Sequence, residues 1–384
     1  MKKLRAGVTG VEFAGMVHIE AIRRSGVGEV IAIAGPVEDD VRERAAQLGI
    51  DRVYGQYMDL VKDPDIDVVH NCAPNNMHFP ISRAALAANK HVVSEKPMAV
   101  DSREARLLLN AADRSKSVSA LVLNYRHYPV MEQARSVIAS GELGKILCIH
   151  GNYLQDRFLY ETDYDWSVDA AQGGVSRALA DLGMHWCDLV QFLTGLKVVE
   201  VAADLRTFIP VRKRSVTTVA TFGKAVTPRH VNVRVSTEDY ASVLLHFNGG
   251  VSGALTVSQM SAGRKNQLFV QIDGTEKSMA WNQEQPEILW IGRRDKPNET
   301  LAHKLAPTSE RGKSALELPP GYGEAWLDSI TNFMRLVYQQ MLNGKKPGRD
   351  ADFATFADGY RMAVLVDKML TSNRQRRWLK LNLK

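Results

Sequence analysis

The sequence predicts an α/β protein in which a doubly wound parallel sheet is followed by an α+β domain with a large open antiparallel sheet. Three observations support this prediction. The first third of the 384 residues alternates short apolar segments with amphipathic helical patterns, a glycine turn follows the first apolar segment, and two hairpin signals occur after residue 240. An apolar fraction of 45% is sufficient for two substantial cores.

The first domain is predicted from its alternating pattern. Short apolar strands joined by helices are typical of right-handed crossover units in a parallel sheet. The alternation stops at 124–129, so we place the domain boundary there and expect domains 1–124 and 125–384. The predicted strands are 4–9, 30–34, 68–72, 91–94 and 119–123, and the predicted helices are 14–25, 39–48, 80–89 and 102–115.

The second domain is predicted from turn signals. Asn248-Gly249 separates apolar runs at 241–247 and 251–259, and Asp273-Gly274 separates 267–272 from 278–281; both dipeptides are typical of tight hairpins. The segment 206–230 carries no clear pattern. The remaining expectations are helices at 129–140, 177–193, 324–342 and 352–372, and a long strand at 146–155.

Composition and charge exclude several classes of protein. The net charge of +6 is small for this length, and the basic runs at 212–214 and 374–377 lack the interleaved aromatic residues of a base-stacking surface, so we expect no nucleic-acid partner. No run of about 18 apolar residues and no signal peptide occur, and the three cysteines are widely spaced. We therefore expect a cytoplasmic protein without a membrane partner or a metal site.

The glycine turn predicts a dinucleotide-binding, Rossmann-type domain, with two departures. Gly10 and Gly15 occupy the first and third glycine positions between a strand and a helix, where backbone N–H groups bind a pyrophosphate. Glu12 replaces the middle glycine. Gly35 stands at the end of the second strand, where an acidic residue usually binds the adenosine ribose. The two glycines alone are equally compatible with an ordinary tight turn.

Further motifs carry a family resemblance over essentially the whole chain. They are Cys72-Ala73-Pro74-Asn75-Asn76-Met77-His78, Glu95-Lys96-Pro97, Gly173-Gly174, the segment 181–188 (DLGMHWCD) and the segment 351–359 (ADFATFADG). In this order they resemble the glucose–fructose oxidoreductase/inositol dehydrogenase/rhizopine-catabolism (Gfo/Idh/MocA) family. The segment 153–188 is similar, more narrowly, to the subgroup of levoglucosan dehydrogenase and related pyranoside 3-dehydrogenases.

The resemblance implies an enzyme and a set of site residues. It implies that Lys96, Asp181 and His185 are catalytic, with His185 transferring a proton at a pKa near neutral and Lys96 holding a substrate hydroxyl. Asp181 and His185 are four residues apart, so a helix places them on one face. The implied cofactor is NAD or NADP, with NAD preferred, bound by Gly10, Glu12, Phe13, Ala14, Gly15, Gly35, Pro74, Asn75, His78, Glu95, Lys96 and Pro97. The implied substrate residues are Arg126, Asp156, Asp165, Trp166, Arg177 and Tyr322.

The function predicted in this way is hydride transfer between nicotinamide and a secondary hydroxyl of a sugar, a sugar derivative or a cyclitol. Two alternatives stay open at this point. One is a non-catalytic sensor of sugar or dinucleotide on the same scaffold, which Glu12 and Gly35 favour. The other is an enzyme that uses the redox step transiently for elimination or glycoside cleavage. An open sheet must cover one apolar face, so the resemblance implies a homodimer or a homotetramer.

Overall fold

The computed structural model describes residues 3–36, 38–216, 229–302, 318–319, 322–348 and 351–381. Its first layer is a six-stranded, fully parallel sheet with the order β3-β2-β1-β4-β5-β6, which confirms the predicted doubly wound sheet. Its strands are β1 Leu4–Thr9, β2 Gly28–Ala34, β3 Arg52–Tyr54, β4 Val68–Asn71, β5 His91–Ser94 and β6 Ser119–Leu121. Strand β3 was not predicted because its three half-exposed residues are too few to form a pattern.

Helices cover both faces of this sheet, and their amino termini meet the carboxyl ends of the strands. They are α1 Phe13–Ser25, α2 Glu38–Leu48, α3 Tyr57–Lys62, α4 Asn75–Ala87 and α5 Ser102–Arg114. Helix α4 begins five residues before the predicted start, and Pro80 lies inside it. The structure therefore brings Asn75 to the first turn of a helix at the sheet edge, where ligands bind in doubly wound folds.

The second layer is a nine-stranded sheet that confirms both predicted hairpins, between β11 and β12 and between β13 and β14. The sheet is mixed rather than purely antiparallel, because β7 and β12 pair in parallel at its centre. Between β7 and the β11–β12 hairpin the chain passes through a helix and β8. This connection brings β12 beside β7 in the same direction. In the sheet order, the strands are β16 Glu299–Ala302, β15 Ile288–Gly292, β14 Ser278–Asn282, β13 Gln267–Gly274, β7 Ile146–Leu154, β12 Ser252–Ser258, β11 Tyr240–Phe247, β8 Val198–Arg206 and β17 Leu379–Lys380.

A separate ribbon pairs β9 Val211–Ser215 with β10 His230–Arg234; β9 lies within the segment 206–230 that carries no clear pattern, and β10 begins at its last residue. Four further helices complete the layer: α6 Pro129–Ala139, α7 Ala170–Gly173, α8 Met184–Thr194 and α10 Phe356–Gln375. Within the described ranges, none of the helices combines the length and apolarity that crossing a bilayer requires.

The chain returns to the first layer after the second sheet. Helix α9, Trp326–Leu342, buries Phe333, Val337 and Tyr338 in the same core as β1 and β2. Residues before α10 also contact the first sheet, because Leu121 donates its N–H to the Ala354 carbonyl. The first core therefore contains residues from before and from after position 124. The domain boundary at residue 124 stays a prediction.

Candidate active site

A cleft of about 1450 Å³ runs along the carboxyl edge of the first sheet and reaches the second sheet. Its floor is built by the turns that follow β1, β2, β4 and β5, and its opposite wall by residues of β7, α7 and the segment before α8. Gly35, at the end of β2, and His185 both line this cleft. Large concave sites of this kind are the usual place for ligands in α/β proteins.

The turn after β1 requires both of its glycines. Gly10 has φ +80°, and a Cβ there would lie 2.3 Å from the Cys72 carbonyl oxygen. A Cβ on Gly15 would lie 1.9 Å from the Gly10 carbonyl oxygen, so Gly15 packs beneath the turn and does not line the cleft. The residues of this turn that line the cleft are Gly10, Val11, Glu12, Phe13 and Ala14. Helix α1 thus presents its amino terminus to the cleft, as a pyrophosphate requires.

The end of β2 forms one extremity of the cleft. The Gly35 N–H donates to the Tyr54 carbonyl oxygen at 3.1 Å, and Gly35 lines the cleft together with Asp40, Arg44 and Tyr57. Burial, assisted by the nearby charge of Glu12, raises the pKa of Tyr57 to about 12, so its phenol is neutral.

The turns after β4 and β5 are braced against each other and against the second layer. His78 is buried, with Nδ1 at 2.6 Å from the Pro97 carbonyl oxygen and Nε2 at 2.8 Å from that of Ala73. The Asn75 side chain donates to the Gly173 carbonyl oxygen at 2.9 Å, which links α4 to α7. The Lys96–Pro97 peptide bond is cis. Pro74, Asn75, His78, Glu95, Lys96 and Pro97 all line the cleft.

Lys96 and Asp181 form an ion pair in the middle of the cleft. The Lys96 ammonium donates to Asp181 Oδ1, and the Gln259 amide donates to Oδ2 at 3.2 Å. Arg157 approaches the same carboxylate to 3.9 Å. Burial favours the protonated acid, but the charges of Lys96 and Arg157 outweigh it and lower the pKa of Asp181 to about 2. Asp181 is therefore a fixed anion in the cleft.

A π-helical turn positions Asp181 relative to His185. The predicted helix at 177–193 divides into this turn, Leu179–Gly183, and α8, on which His185 lies in the first turn. Both side chains line the cleft, as the spacing of four residues predicts. Such π turns occur frequently at functional sites.

The His185 imidazole is buried at the end of the cleft, with its ring edge-on to Tyr125 at a centroid distance of 4.9 Å. Burial, together with the positive charge of Lys96, lowers the pKa of His185 to about 3. The expected pKa near neutral is therefore wrong. In the part of the chain that the structure describes, the buried Nδ1 has no hydrogen-bond partner.

The wall around His185 carries polar and aromatic groups suited to a polyhydroxylated ligand. Tyr125, Tyr153 and Asn266 form a ring of hydrogen bonds: the two phenol oxygens are 2.5 Å apart, Tyr153 donates to Asn266 Oδ1 at 2.7 Å, and Asn266 Nδ2 donates to Tyr125 at 3.1 Å. Three further residues line this part of the cleft: Gln155, Arg157 and Asp181, which accepts a hydrogen bond from Gln259. All of these groups come from distant segments of the chain. Tyr153 and Gln155 lie in the segment that carries the subgroup resemblance, but the sequence analysis gave them no role, and no local motif marks Tyr125 or Asn266.

Three of the six expected substrate residues line the cleft. Asp165 forms an ion pair with Arg157 and accepts the Ser167 hydroxyl proton at 2.6 Å, and Trp166 lies beside it. Arg177 is buried in an ion pair with Asp239, and burial lowers the pKa of its guanidinium to about 10.

The other three expected substrate residues do not line the cleft, so a role for them in substrate binding stays a prediction. Arg126 is buried in an ion pair with Asp188, and it also lies 3.2 Å from Asp358. The Asp156 carboxylate accepts from Lys265 at 2.6 Å and from the Gly263 N–H at 3.1 Å, and so holds a loop. Tyr322 is 64% exposed on the surface. Trp186, as expected, packs in the core, where its indole N–H donates to the Phe269 carbonyl oxygen at 2.9 Å.

We expect Arg126→Met to lower the free energy of unfolding by about 3–5 kcal/mol, because it leaves Asp188 buried without its cation. Urea unfolding of the variant and the wild type measures this difference. The KM of the folded variant for its substrate should stay within about threefold of the wild type. A large rise in KM with unchanged stability would return Arg126 to the substrate site.

Comparison with known proteins places this geometry among nucleotide-dependent oxidoreductases. Residues 4–123 match the family model described as "Oxidoreductase family, NAD-binding Rossmann fold", and residues 131–280 match that of the "GFO/IDH/MocA C-terminal domain". Levoglucosan dehydrogenase of Pseudarthrobacter phenanthrenivorans is 27% identical over 399 residues, which cover 99% of this chain and 98% of the relative. Mouse trans-1,2-dihydrobenzene-1,2-diol dehydrogenase is 30% identical over 263 residues, covering 68% and 67% of the two chains. A structure of levoglucosan dehydrogenase with NADH and L-sorbose has a TM-score of 0.88 at 25% identity, with full coverage of both chains.

Proposed function

The chain belongs to the Gfo/Idh/MocA family of NAD-binding oxidoreductases, and on this premise we propose that it is an NAD(P)-dependent dehydrogenase acting on a secondary hydroxyl of a sugar, a sugar derivative or a cyclitol. The observation that carries the proposal is the meeting of Lys96, Asp181 and His185 in the same cleft that the glycine turn and the end of β2 line. A sensor would not require an ionised acid, an ammonium and a neutral base side by side.

The residues of the glycine turn would hold the cofactor pyrophosphate, and those after β4 and β5 would hold the nicotinamide end. The bound cofactor supplies or accepts a hydride. Lys96, held by Asp181, donates a hydrogen bond to the substrate oxygen and stabilises negative charge that develops there. His185 accepts the hydroxyl proton during oxidation, and Asp181 keeps the ammonium in place.

The substrate class is inferred from the wall and from the relatives. Tyr153, Gln155, Asp165, Trp166 and Asn266 offer hydrogen-bond donors, acceptors and a flat aromatic surface, which a polyhydroxylated ring requires. The relatives include proteins named levoglucosan dehydrogenase and glucose-6-phosphate 3-dehydrogenase. Both are named for carbohydrate substrates.

Assembly and location are proposals of the same kind. The outer face of the nine-stranded sheet exposes Leu244 and the stacked pair of His246 and Trp378, so we propose a homodimer or a homotetramer that covers this face. The three cysteines are unpaired, which supports a reducing, cytoplasmic location.

A fluorescence titration of the purified, cofactor-stripped protein tests the proposal. We expect saturable binding of NADH, with NADPH bound more weakly, followed by net NADH formation when NAD⁺ and an oxidisable sugar or cyclitol are supplied. Trp326 lines the cleft and stacks on Phe13 at 5.6 Å, so its emission should be quenched on binding. Failure of a folded protein to bind either nucleotide would leave the sensor as the better account. Turnover without net NADH would indicate transient redox chemistry.

The pKa of His185 predicts an unusual pH profile. A histidine with an ordinary pKa would become protonated below about pH 6.5 and lose its capacity to accept a proton. Because the pKa of His185 lies near 3 and that of Asp181 near 2, neither group changes its charge between pH 5 and 9. We therefore expect no fall in kcat/KM for oxidation near pH 6.5 that is due to His185. An inflection there that disappears in His185→Ala would contradict this prediction.

A further inference from the structure

A chain of hydrogen bonds beneath the cleft joins four elements of the first layer. The Tyr338 hydroxyl on α9 lies 2.7 Å from His70 Nε2 on β4, and His70 Nδ1 lies 2.9 Å from His18 Nδ1 on α1. His18 Nε2 lies 3.3 Å from Oε1 of Glu95, the residue directly after β5. The two imidazoles and the phenol are fully buried, whereas the Glu95 side chain is 17% exposed and lines the cleft.

Only one arrangement of protons satisfies every member of this chain without adding a charge. The Glu95 carboxylate is an acceptor, so His18 carries its hydrogen on Nε2 and leaves Nδ1 as an acceptor. His70 must then donate from Nδ1, which leaves its Nε2 to accept the Tyr338 hydroxyl proton. Each donor in the series Tyr338, His70, His18 therefore points towards Glu95.

An extra proton on this chain is unfavourable. A cationic His18 would donate to His70, which would then donate to Tyr338, and among the described residues the phenol hydrogen would have no other acceptor. Burial, together with neighbouring His18, lowers the pKa of His70 well below its ordinary value. Tyr338 is fully buried, so the chain offers no exit for a proton at its Tyr338 end.

Glu95 is the one carboxylate among the four members of the chain. Burial opposes its ionisation, but the hydrogen bond and the charge of His18, together with the charge of Lys96, outweigh burial and lower the pKa of Glu95. The Lys96 backbone N–H donates to its second oxygen at 3.0 Å. The other titratable groups that face it are the partly buried Cys72 and the buried His78 and His185.

We propose that His18, His70 and Tyr338 are positioning residues that hold Glu95 as a fixed anion at the cleft wall, and that this anion favours binding of the oxidised over the reduced cofactor. The proposal rests on the function proposed above. The nicotinamide ring is cationic in NAD⁺ and neutral in NADH, so a fixed negative charge attracts the first form selectively in a water-poor site.

The place of Glu95 in the fold supports this role. The strand ends line the cleft in the order β2, β1, β4, β5, from the adenosine end at Gly35, past the glycine turn, to Glu95 and Lys96. A dinucleotide that follows this edge puts its nicotinamide near β5. Glu95 would then lie beside the part of the cofactor whose charge changes in the reaction.

Separate titrations of the purified protein with NAD⁺ and with NADH test the proposal, through the ratio of the two dissociation constants. We expect Glu95→Gln to raise the ratio of the dissociation constant for NAD⁺ to that for NADH about tenfold, because only the binding of NAD⁺ is weakened. A tenfold change corresponds to about 30 mV in the potential of the bound two-electron couple. His70→Leu should raise the ratio about fivefold, because His18 then loses the donor that fixes its tautomer. Tyr338→Phe, the mildest change, should raise it about threefold.

The affinity for NADH is the internal control, since a variant that is merely damaged binds both forms poorly. NADH dissociation constants within twofold of the wild type show that the cleft is intact. Tyr360→Phe removes a hydroxyl that contacts Arg106 away from the cleft, and its ratio should not change. The double variant Glu95→Gln/His70→Leu should match Glu95→Gln, because the chain acts through Glu95.

The outcomes separate the two proposals. A wild-type protein that binds neither nucleotide overturns both this inference and the proposed function. Binding of both forms, with ratios in Glu95→Gln and His70→Leu equal to that of the wild type, overturns the inference alone. Equal weakening of NAD⁺ and NADH, or additive effects in the double variant, also overturns it and leaves the histidines with a purely structural role.

Discussion

Lys96→Met is expected to lower kcat about a thousandfold while leaving the dissociation constant for NADH within about threefold of the wild type. Lys96 provides an ammonium in the middle of the cleft, and the Asp181 carboxylate holds it there. Methionine keeps much of the side-chain volume but can neither donate a hydrogen bond nor stabilise an alkoxide. The loss should therefore fall on the chemical step, and single-turnover measurement of hydride transfer detects it directly.

The variant should remain folded, because Asp181 keeps partners. Gln259 still donates to one oxygen, and Arg157 still lies near the carboxylate. Lys62→Met is a matched control at an exposed position on α3, and its kcat should equal that of the wild type. A Lys96→Met variant with more than a tenth of wild-type kcat on a verified substrate would show that this ammonium does not act on the reacting oxygen.

The second large effect is expected for His185→Ala, with a loss of about a thousandfold in kcat. The neutral imidazole at the end of the cleft is placed to take the hydroxyl proton, and alanine leaves no acceptor there. Added imidazole should restore part of the rate, since the variant opens a space of the matching shape next to Tyr125. Initial rates with and without imidazole measure both effects.

An exposed histidine serves as the control for this change. His246 stacks on Trp378 on the outer face of the nine-stranded sheet and does not line the cleft, so His246→Ala should turn over normally. Should His185→Ala keep near-wild-type rates, the proton acceptor would have to be sought at Lys96 and Asp181. Because His185 and Lys96 share the same site, the double variant should lose less than the product of the two single losses.

The elements with strong local patterns agree with the structure. The β11–β12 and β13–β14 hairpins follow from Asn-Gly and Asp-Gly dipeptides between apolar runs, because these residues adopt the turn conformation easily. The parallel sheet follows from alternating buried strands and helices. Strand β3 and helix α3 were not predicted, because three and six residues are too few for a periodicity to emerge.

In the candidate site, too, the parts with a local sequence pattern were predictable and the parts that depend on distant contacts were not. The glycine turn and the Glu95-Lys96-Pro97 segment are contiguous, and their local geometry follows from their own residues, including the close approach of Gly15 to Gly10. Arg126 has the chemistry of a sugar ligand, but its side chain points into a buried pair with Asp188. Residue type does not determine which face of an element a side chain occupies.

The sequence by itself therefore determined the two layers and the cleft edge at the ends of the parallel strands, and its family resemblance supplied the proposal of Lys96, Asp181 and His185 as the catalytic set. Tertiary structure decided what those groups can do. The mixed pairing of β7 with β12, the return of α9 to the first core and the neutral state of His185 all depend on residues more than 80 positions apart in the chain. Burial and neighbouring charges set a pKa, and both arise only when distant segments pack together.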